Sequence, residues 1–213
     1  MINSAIRAIA LLSLAAAPAI AAPPLTSAPA SLDTIVVAGG CFWGVQGVFQ
    51  HVKGVVSATS GYAGGSIPRP SYEVVSTGAT GHAESVRVVY DPGKVSYDQL
   101  MEVFFSVAHD PTQLNKQGPD HGTQYRSAVF FTNEAQKKAT DAFIAQLAKS
   151  GAVKKPIVTQ VAPLSAFYAA EAYHQDYATL HPNEPYIVYN DAPKIADLKQ
   201  RYTALWTDKL AAH

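Results

Sequence analysis

The single cysteine constrains this chain more than any other feature, because Cys41 has no second thiol to pair with among the 213 residues. One thiol excludes an internal disulfide framework, a four-cysteine zinc site and an iron–sulfur cluster. The fold must therefore rest on its apolar core. With 48% hydrophobic and 15% charged residues, the chain has the composition of an ordinary globular domain and not that of a disordered segment.

The N-terminus has the pattern of a secretory signal peptide. Arg7 supplies a positive charge, an apolar run follows at 8–17, and Ala19-Ile20-Ala21 has the small-x-small form of a cleavage site. The apolar run is shorter than the roughly 20 residues that a membrane span needs, which disfavours an uncleaved anchor. We therefore expect a periplasmic or secreted protein. The predicted organisation is a signal peptide at 1–22, a Pro/Ser/Ala-rich tether at 23–32 and a single domain at 33–213.

The charge balance excludes one class of partner. Lys and Arg total 16, Asp and Glu total 16, and Arg7 is the only charged residue before Asp33, so the chain without its leader carries one net negative charge. A chain with no basic excess releases few counterions from phosphates. We therefore expect no nucleic-acid partner and no stable membrane association. The chain is also expected to be a monomer.

Hydrophobic patterns predict alternating strands and helices. A turn at Asp91-Pro92-Gly93 and several glycine-rich loops, among them Gly61 to Gly65, argue against a fully parallel sheet. The predicted fold class is α+β, a two-layer sandwich in which a mixed central sheet is covered by helices. The predicted strands are 34–38, 55–59, 85–90, 126–131 and 157–161. The predicted helices begin near Cys41 (ending at Gly54) and at Ser96, and span 134–149, 169–180 and 194–206. Ser96 and Gln99 predict a capping box for the helix at Ser96, which should stop before Asp110-Pro111, and a long loop at 112–124 should follow.

Cys41 is predicted to lie at the first turn of a helix that follows a strand directly. The N–H groups and the partial positive charge of a helix N-terminus stabilise a thiolate over a thiol, and the thiolate is the nucleophilic form. Gly40 and Gly44 leave the backbone around the sulfur open. We therefore expect an exposed, readily ionised sulfur at the mouth of a cavity. The alternative is a buried cysteine that acts only as a small hydrophobic residue.

The motif Gly-Cys-Phe-Trp-Gly at 40–44 resembles the signature of the peptide methionine sulfoxide reductase A family. The resemblance extends over about 34–189. It implies an enzyme of oxidative damage repair that reduces methionine S-sulfoxide, free or in proteins, to methionine. Further segments that resemble family motifs are GYAGG at 61–65, TGHAE at 80–84, HDPT at 109–112, QGPDHGTQYRS at 117–127 and YHQDY at 173–177.

The resemblance also implies a role for each of five residues. Cys41 would attack the sulfoxide sulfur as a thiolate and become a sulfenic acid, while Glu84 would protonate the sulfoxide oxygen. A carboxyl in an apolar cavity keeps its proton to higher pH than one in water, so this role makes physical sense. Tyr62 and Tyr125 would donate hydrogen bonds to the oxygen, and Asp120 would assist substrate binding.

The remaining implications concern the methyl pocket and the reductant. Phe42 and Trp43 would bind the S-methyl group of the substrate. Family enzymes often carry resolving cysteines near the C-terminus, and many have a cysteine where Ser76 stands here. With only Cys41 present, no intramolecular disulfide can form. An external thiol, from a thioredoxin-like protein, glutathione or a similar compound, must then reduce the sulfenic acid, and no bound cofactor or metal is expected.

The residues alone leave three other functions open. Cys41 could form a triad with a histidine and an acid in a cysteine hydrolase, which would need no reductant. It could also be inert in a binding module. A zinc hydrolase is disfavoured because no histidine pair has the spacing of HExxH or of a ligand triad. The histidines that lie beside acids in the sequence are His82, His109, His121 and His174.

Overall fold

A computed structural model describes residues 31–213, so the predicted signal peptide and most of the predicted tether lie outside the described residues. The described chain forms one six-stranded sheet, a two-stranded ribbon and helices. The strands are β1 Asp33–Gly39, β2 Val55–Ala63, β3 Ala83–Tyr90, β4 Lys116–Gln117, β5 Asp120–His121, β6 Ser127–Phe131, β7 Gln160–Pro163 and β8 Phe167–Ala169. The α-helices are α1 Phe42–Gln50, α2 Tyr72–Ser76, α3 Tyr97–Val103, α4 Glu134–Ser150, α5 Tyr177–Leu180 and α6 Ala192–Arg201.

The large sheet has the strand order β7-β6-β1-β3-β2-β8. Four of its five neighbouring pairs are antiparallel, and only β6 and β7 run parallel. The sheet is therefore mixed, and the predicted α+β class is confirmed. Strands β4 and β5 form a separate antiparallel ribbon inside the segment 112–124, which was predicted only as a loop.

Both faces of β1 are buried, which explains its continuous apolar sequence. Ile35 and Val37 point into the main core between the sheet and the helices, whereas Val36 and Ala38 join a smaller cluster on the opposite face. The smaller cluster is covered by Phe167 and neighbouring partly buried residues. The helices therefore lie on one side of the sheet, as a two-layer arrangement requires.

Helices α1 and α3 begin where the sequence predicts, but α1 ends earlier than predicted. Cys41 is the N-cap of α1, but Gly54 does not end this helix. Gly54 instead has a φ of +92° in the turn that leads to β2, where a Cβ would lie 2.8 Å from a methyl carbon of Val95. The predicted capping box is present: Ser96 Oγ accepts the Gln99 N–H at 3.2 Å, and Gln99 Oε1 accepts the Ser96 N–H at 2.9 Å.

The prediction of a helix at 169–180 is wrong. The segment contains the end of β8, a 3-10 helix Ala172–His174 and the short helix α5. Gln175 explains the difference, because its side chain takes the place of a strand partner for β2. Its Oε1 accepts the Ser60 N–H at 2.9 Å, and its Nε2 donates to the Ser60 and Ala170 carbonyls at 3.0 and 3.1 Å. These side-chain bonds to backbone outweigh helical periodicity.

Three further boundaries differ from the prediction. Strand β2 continues to Ala63, so the first residues of the predicted glycine-rich loop are strand. Strand β7 lies three residues later than predicted, and the last helix is a π-helix Ile187–Asp191 followed by α6, which ends at Arg201. Another π-helix, Phe104–Ala108, extends α3 up to the predicted stop before Asp110. Among residues 31–213, no helix combines the length and apolar character that crossing a membrane requires.

Candidate active site

Cys41 lies between β1 and α1, at the point where the chain turns sharply from the sheet into the helix layer. Gly40 makes this turn with a φ of +88°, and a Cβ at this position would lie 2.5 Å from the Gln117 side chain. Only 7% of Cys41 is exposed. The expectation of an exposed sulfur is therefore wrong, because β4 and the C-terminal segments cover the turn.

The expectation that Cys41 ionises readily is also wrong for the substrate-free site. Burial raises the pKa of the Cys41 thiol well above its ordinary value, and the charges of Glu84 and Asp191 raise it further. The backbone N–H of Trp43 and the Lys194 ammonium lower it, as a helix N-terminus should, but they do not offset burial. The resting site therefore holds a thiol at neutral pH.

Glu84 lies on β3 and is 2% exposed. Its Oε2 accepts the backbone N–H of Phe42 at 3.1 Å, so the carboxyl lies directly beside the first turn of α1. Burial raises the pKa of Glu84 to about 8, although the Phe42 hydrogen bond lowers it. Glu84 therefore carries a proton at neutral pH and can act as an acid next to Cys41.

Tyr62 faces Glu84 across the pairing of β2 with β3 and is fully buried. Its hydroxyl donates to Glu171 Oε2 at 2.8 Å, while Glu171 Oε1 accepts the Tyr72 N–H at 2.9 Å. Because a phenol has a single O–H donor, Tyr62 cannot hydrogen-bond a sulfoxide oxygen while it holds Glu171. In the substrate-free site the Tyr62 hydroxyl is thus held by Glu171, and its role toward the sulfoxide oxygen stays a prediction.

Two other tyrosines lie close to the thiol and the carboxyl. Burial raises the pKa of Tyr125, and the charge of Glu84 raises it further. Burial also raises the pKa of Tyr72, with further contributions from the charges of Glu84 and Cys41. Tyr72 is therefore a site residue that the sequence analysis missed. Its only local signal is its position at the start of α2, after a proline-containing loop.

Phe42 and Trp43 lead into a cluster of aromatic rings. Trp43 stacks on Tyr177 at a centroid distance of 3.8 Å, and Phe42 lies 5.0 Å from the His174 ring. The edge of Trp43 also meets Tyr186 at 5.9 Å. Phe42 is buried and Trp43 is half-buried, so the pair forms one wall of an apolar site beside Cys41.

The tautomer of His174 follows from its contact with Trp43. Trp43 Nε1, which can only donate, lies 3.1 Å from His174 Nδ1, so Nδ1 must accept. Burial lowers the pKa of His174, and the neutral ring then carries its proton on Nε2. This nitrogen is buried and has no hydrogen-bond partner within residues 31–213.

Asp120 lies on β5 and is half-buried, close to the same site. Its Oδ2 accepts a hydrogen bond from the Tyr186 hydroxyl. Burial raises the pKa of Asp120. Burial also raises the pKa of Tyr186, and the charge of Cys41 raises it further. Asp120 therefore contacts Tyr186 at the edge of the site. Tyr186 is a second site residue that the sequence analysis missed.

None of the three most buried histidines forms a catalytic pair with Cys41. Within residues 31–213, His82 bonds the Gly65 N–H and the Ile67 carbonyl, and His174 bonds Trp43. His109 bonds Phe104 O and Ser127 Oγ, so none of these three histidines supplies the base of a cysteine-hydrolase triad. The described residues also contain no group of three or more His, Cys, Asp or Glu side chains placed to hold a metal ion.

Comparison with known proteins identifies a family for this chain. The family model described as peptide methionine sulfoxide reductase matches residues 33–206. The chain is 59% identical over 183 residues to peptide methionine sulfoxide reductase MsrA 2 of Mesorhizobium japonicum, covering 86% of this chain and 93% of the relative. It is 46% identical over 189 residues to MsrA 2 of Synechocystis sp., covering 89% and 86%.

Solved structures give the same result. Methionine sulfoxide reductase A of Corynebacterium diphtheriae is 38% identical with a TM-score of 0.64, over 75% of this chain and 79% of that chain. The reduced form of Mxr1 from Saccharomyces cerevisiae is 34% identical with a TM-score of 0.67, over 74% and 90%. Fold and site thus define a thiol-based oxidoreductase. The chain belongs to the peptide methionine sulfoxide reductase family, which confirms the resemblance seen at 40–44.

Proposed function

We propose that this enzyme, which as a family member reduces methionine sulfoxide to methionine, uses Cys41 as nucleophile and Glu84 as acid. The observation that carries the proposal is the hydrogen bond from the Phe42 N–H to Glu84 Oε2. This bond holds a buried carboxyl, protonated at neutral pH, against the residue that follows the nucleophile. Nucleophile and acid therefore meet at one point of the fold.

The first half-reaction transfers oxygen from one sulfur to another. A sulfoxide oxygen leaves poorly until it is protonated, so Glu84 donates its proton to the oxygen as Cys41 attacks the sulfoxide sulfur. Cys41 attacks as a thiolate, and the proton that its thiol gives up passes to the Glu84 carboxylate and restores the acid. The overall change converts the thiol and the sulfoxide into a sulfenic acid and a thioether, which oxidises Cys41 by two electrons.

Tyr72 and Tyr125 are the hydroxyl groups we place around the sulfoxide oxygen. Both are affected by the charge of Glu84, and donors fixed in a buried site stabilise the charge that develops on oxygen. Tyr62 instead holds Glu171, which in turn holds the backbone of Tyr72. Asp120 orients Tyr186 at the edge of the same site.

Phe42 and Trp43 form the pocket that we assign to the S-methyl group. Their rings, together with Tyr177 and Tyr186, offer an apolar surface beside the nucleophile. An apolar pocket favours the thioether methyl over water. His174 holds the indole of Trp43 in place, because its Nδ1 accepts the hydrogen bond from Trp43 Nε1.

Regeneration of Cys41 is assigned to an external thiol, because the chain contains no second cysteine. One thiol converts the sulfenic acid into a mixed disulfide and water. A second thiol then releases Cys41 as a thiolate and leaves as the disulfide of the reductant. A thioredoxin-like protein or glutathione has the required chemistry.

The cellular setting is also part of the proposal. The charged, apolar and small-residue pattern at 1–22 supports export, and the family match that begins at residue 33 supports a domain that starts after a tether. The enzyme then repairs oxidised methionine in the periplasm or outside the cell. We also propose that the enzyme acts as a monomer, since Cys41 and Glu84 can meet without a group from a second chain.

The decisive experiment uses a methionine sulfoxide peptide, with dithiothreitol as reductant. The purified protein should reduce the S epimer over many turnovers, and about one methionine per chain should form when the thiol is omitted. The matched variant is Cys41→Ser, which keeps size and polarity but should form no methionine. The proposal fails if the folded wild type reduces neither epimer, or if turnover continues without any thiol.

A further inference from the structure

The loop 64–71 joins β2 to α2 and leads directly to Tyr72. The ring of Tyr72 lies 4.4 Å from the ring of His174, which in turn lies 5.0 Å from the ring of Phe42. Tyr72 is thus in contact with the aromatic wall of the site. No residue of 64–71 is buried, so apolar packing does not hold the loop in place. A segment without such packing opens easily unless other contacts fix it.

The imidazole of His82 supplies the contacts that the loop otherwise lacks. His82 is 1% exposed and lies just before β3. Its Nδ1 accepts the Gly65 N–H at 3.1 Å, and its Nε2 lies 2.8 Å from the Ile67 carbonyl oxygen. Since an N–H group can only donate and a carbonyl can only accept, the ring is the neutral tautomer with its proton on Nε2. Both ring nitrogens therefore hold the backbone of the loop.

The fold also fixes the ring itself. A Cβ built on Gly65 would lie 2.5 Å from two ring carbons of His82, so the loop approaches the imidazole as closely as a glycine permits. The ring of Tyr168 lies nearly perpendicular to the imidazole at a centroid distance of 5.7 Å. The position of the loop is therefore set by a buried ring that has little freedom to move.

The chain between Ile67 and Tyr72 is stiff enough to pass this restraint on. Pro68 and Pro70 have locked φ angles, so half of the four intervening residues lack that freedom. At the far end, the Tyr72 N–H donates to Glu171 Oε1 at 2.9 Å. The segment that presents Tyr72 is thus anchored at both ends.

We propose that His82 is a positioning residue for sulfoxide reduction: through the loop 64–71 it sets where the Tyr72 hydroxyl meets the sulfoxide oxygen. This inference rests on the proposed function, in which Tyr72 donates to that oxygen. His82 and Glu84 lie two residues apart at the same end of β3. The acid and this hydroxyl donor are therefore placed from one point of the sheet.

The test measures the saturating rate of methionine release in a single turnover. His82→Phe keeps a planar ring but loses both hydrogen bonds to the loop. Because misplacing a donor cannot cost more than removing it, this variant should be about five- to tenfold slower, with at most the loss of Tyr72→Phe. The substrate concentration at half-saturation should change by less than about twofold, because the donor acts mainly in the transition state.

The matched control is His51→Phe. His51 also bonds a backbone carbonyl, that of Thr207 at 2.9 Å, but it lies at the opposite end of α1 from Cys41. The same substitution there should keep the wild-type rate.

A double-mutant cycle shows whether His82 acts through Tyr72. In a Tyr72→Phe background, His82→Phe should slow the reaction by about twofold or less, because the hydroxyl that it positions is already absent. In a Tyr125→Phe background its effect should persist in full, since Tyr125 belongs to a different segment, the 3-10 helix Thr123–Tyr125. A general loosening of the site would act alike in both backgrounds.

Two polar variants separate the two hydrogen bonds. His82→Gln places an amide N–H near the position of Nε2 and can keep the Ile67 bond, whereas His82→Asn places an amide oxygen near Nδ1 and can keep the Gly65 bond. Ile67 is nearer to Tyr72 along the chain, so the Gln variant should be the faster of the two; the reverse order would contradict the inference. If His82→Phe does not fold by circular dichroism, His82→Asn takes its place in the cycle.

Three results would overturn the inference. These are an unchanged rate in His82→Phe, an equal slowing in His51→Phe, or the same slowing by His82→Phe with and without the Tyr72 hydroxyl. Failure of the proposed function would look different, because the folded wild type would then form no methionine or Tyr72→Phe would keep the wild-type rate. The inference alone fails if Tyr72→Phe is slow and the two substitutions are additive.

Discussion

The site has two halves that are built in different ways. The first half comes from regular structure: Cys41 caps α1, and Glu84 lies on a central strand that pairs with β1 and β2. The second half comes from short 3-10, α and π segments between 172 and 194. Regular structure fixes the reacting groups, and irregular structure supplies the surroundings that set their polarity. The second half contributes His174, Tyr177, Tyr186, Asp191 and Lys194.

The sharpest test of this division is removal of the acid from the regular half. Glu84→Gln should slow methionine release in a single turnover by about 10²- to 10⁴-fold, which is the usual contribution of general acid catalysis. The wild-type rate should fall as the pH rises through about 8, because Glu84 then loses its proton. Rapid-quench measurement of methionine checks both points.

The matched control is Glu134→Gln, which changes an exposed carboxyl at the start of α4. It should keep the wild-type rate and pH profile. An unchanged single-turnover rate in Glu84→Gln would remove the acid from the mechanism.

Glu84→Gln should also stabilise the protein, although it should slow catalysis. The pKa of Glu84 is about 8 in the folded state and about 4.3 when unfolded, so the folded state holds more protons between these values. The stability associated with this proton is lost as pH rises through that window. Glu84→Gln should therefore raise the free energy of unfolding by about 4–5 kcal/mol at pH 8 and by little at pH 4.

Urea unfolding at several pH values measures this difference. A gain that did not depend on pH would mean that the proton on Glu84 is not its cause.

A substitution in the irregular half should act on stability. Gln175→Met keeps the length of the side chain but leaves the Ser60 backbone N–H, now bonded to Gln175 Oε1, without an acceptor. Gln46 Nε2 loses its bond to the same oxygen and keeps only the Ala58 carbonyl. Unsatisfied buried groups make the expected loss about 2–3 kcal/mol in urea unfolding. Gln200→Met on the exposed side of α6 is the control and should be near neutral. Equal losses in both variants would contradict the role assigned to Gln175.

The smallest expected effects separate the tyrosines. Tyr72→Phe should slow sulfoxide reduction by about tenfold through loss of a donor to the substrate oxygen. Tyr62→Phe should leave the rate closer to wild type and instead reduce stability by about 1 kcal/mol, because Glu171 loses a hydrogen bond. Parallel kinetic and unfolding measurements check the pair. The reverse pattern would restore Tyr62 as the substrate donor.

The sequence predicted the regular half because local rules determine it. A continuous apolar strand, two glycines and the helical spacing after Cys41 placed the nucleophile at a helix N-terminus, and Ser96 with Gln99 predicted the capping box of α3. The ionisation of Cys41 was not predictable in the same way. The helix N-terminus favours a thiolate, but burial beneath distant segments opposes it.

The irregular half escaped prediction because its contacts are distant in sequence. Whether Tyr62 has a free hydroxyl depends on Glu171, and the course of the chain at 169–180 depends on how Gln175 meets Ser60. No local pattern marks Asp191 or Lys194, since their place against α1 depends on the absence of a side chain at Gly44. These residues can be assigned only once the chain is folded.

The register of the central sheet has a consequence for how the enzyme loses activity. Glu84 is opposite Tyr62 in the ladder between β2 and β3, and a shift of β3 by one residue would turn Glu84 to the other face of the sheet. The proton donor is thus anchored in a part of the molecule that opens only with the whole fold. Local unfolding of the short helical segments between 172 and 194 would change substrate affinity and thiol reactivity gradually. Loss of the proton donor would instead require cooperative unfolding of the whole domain.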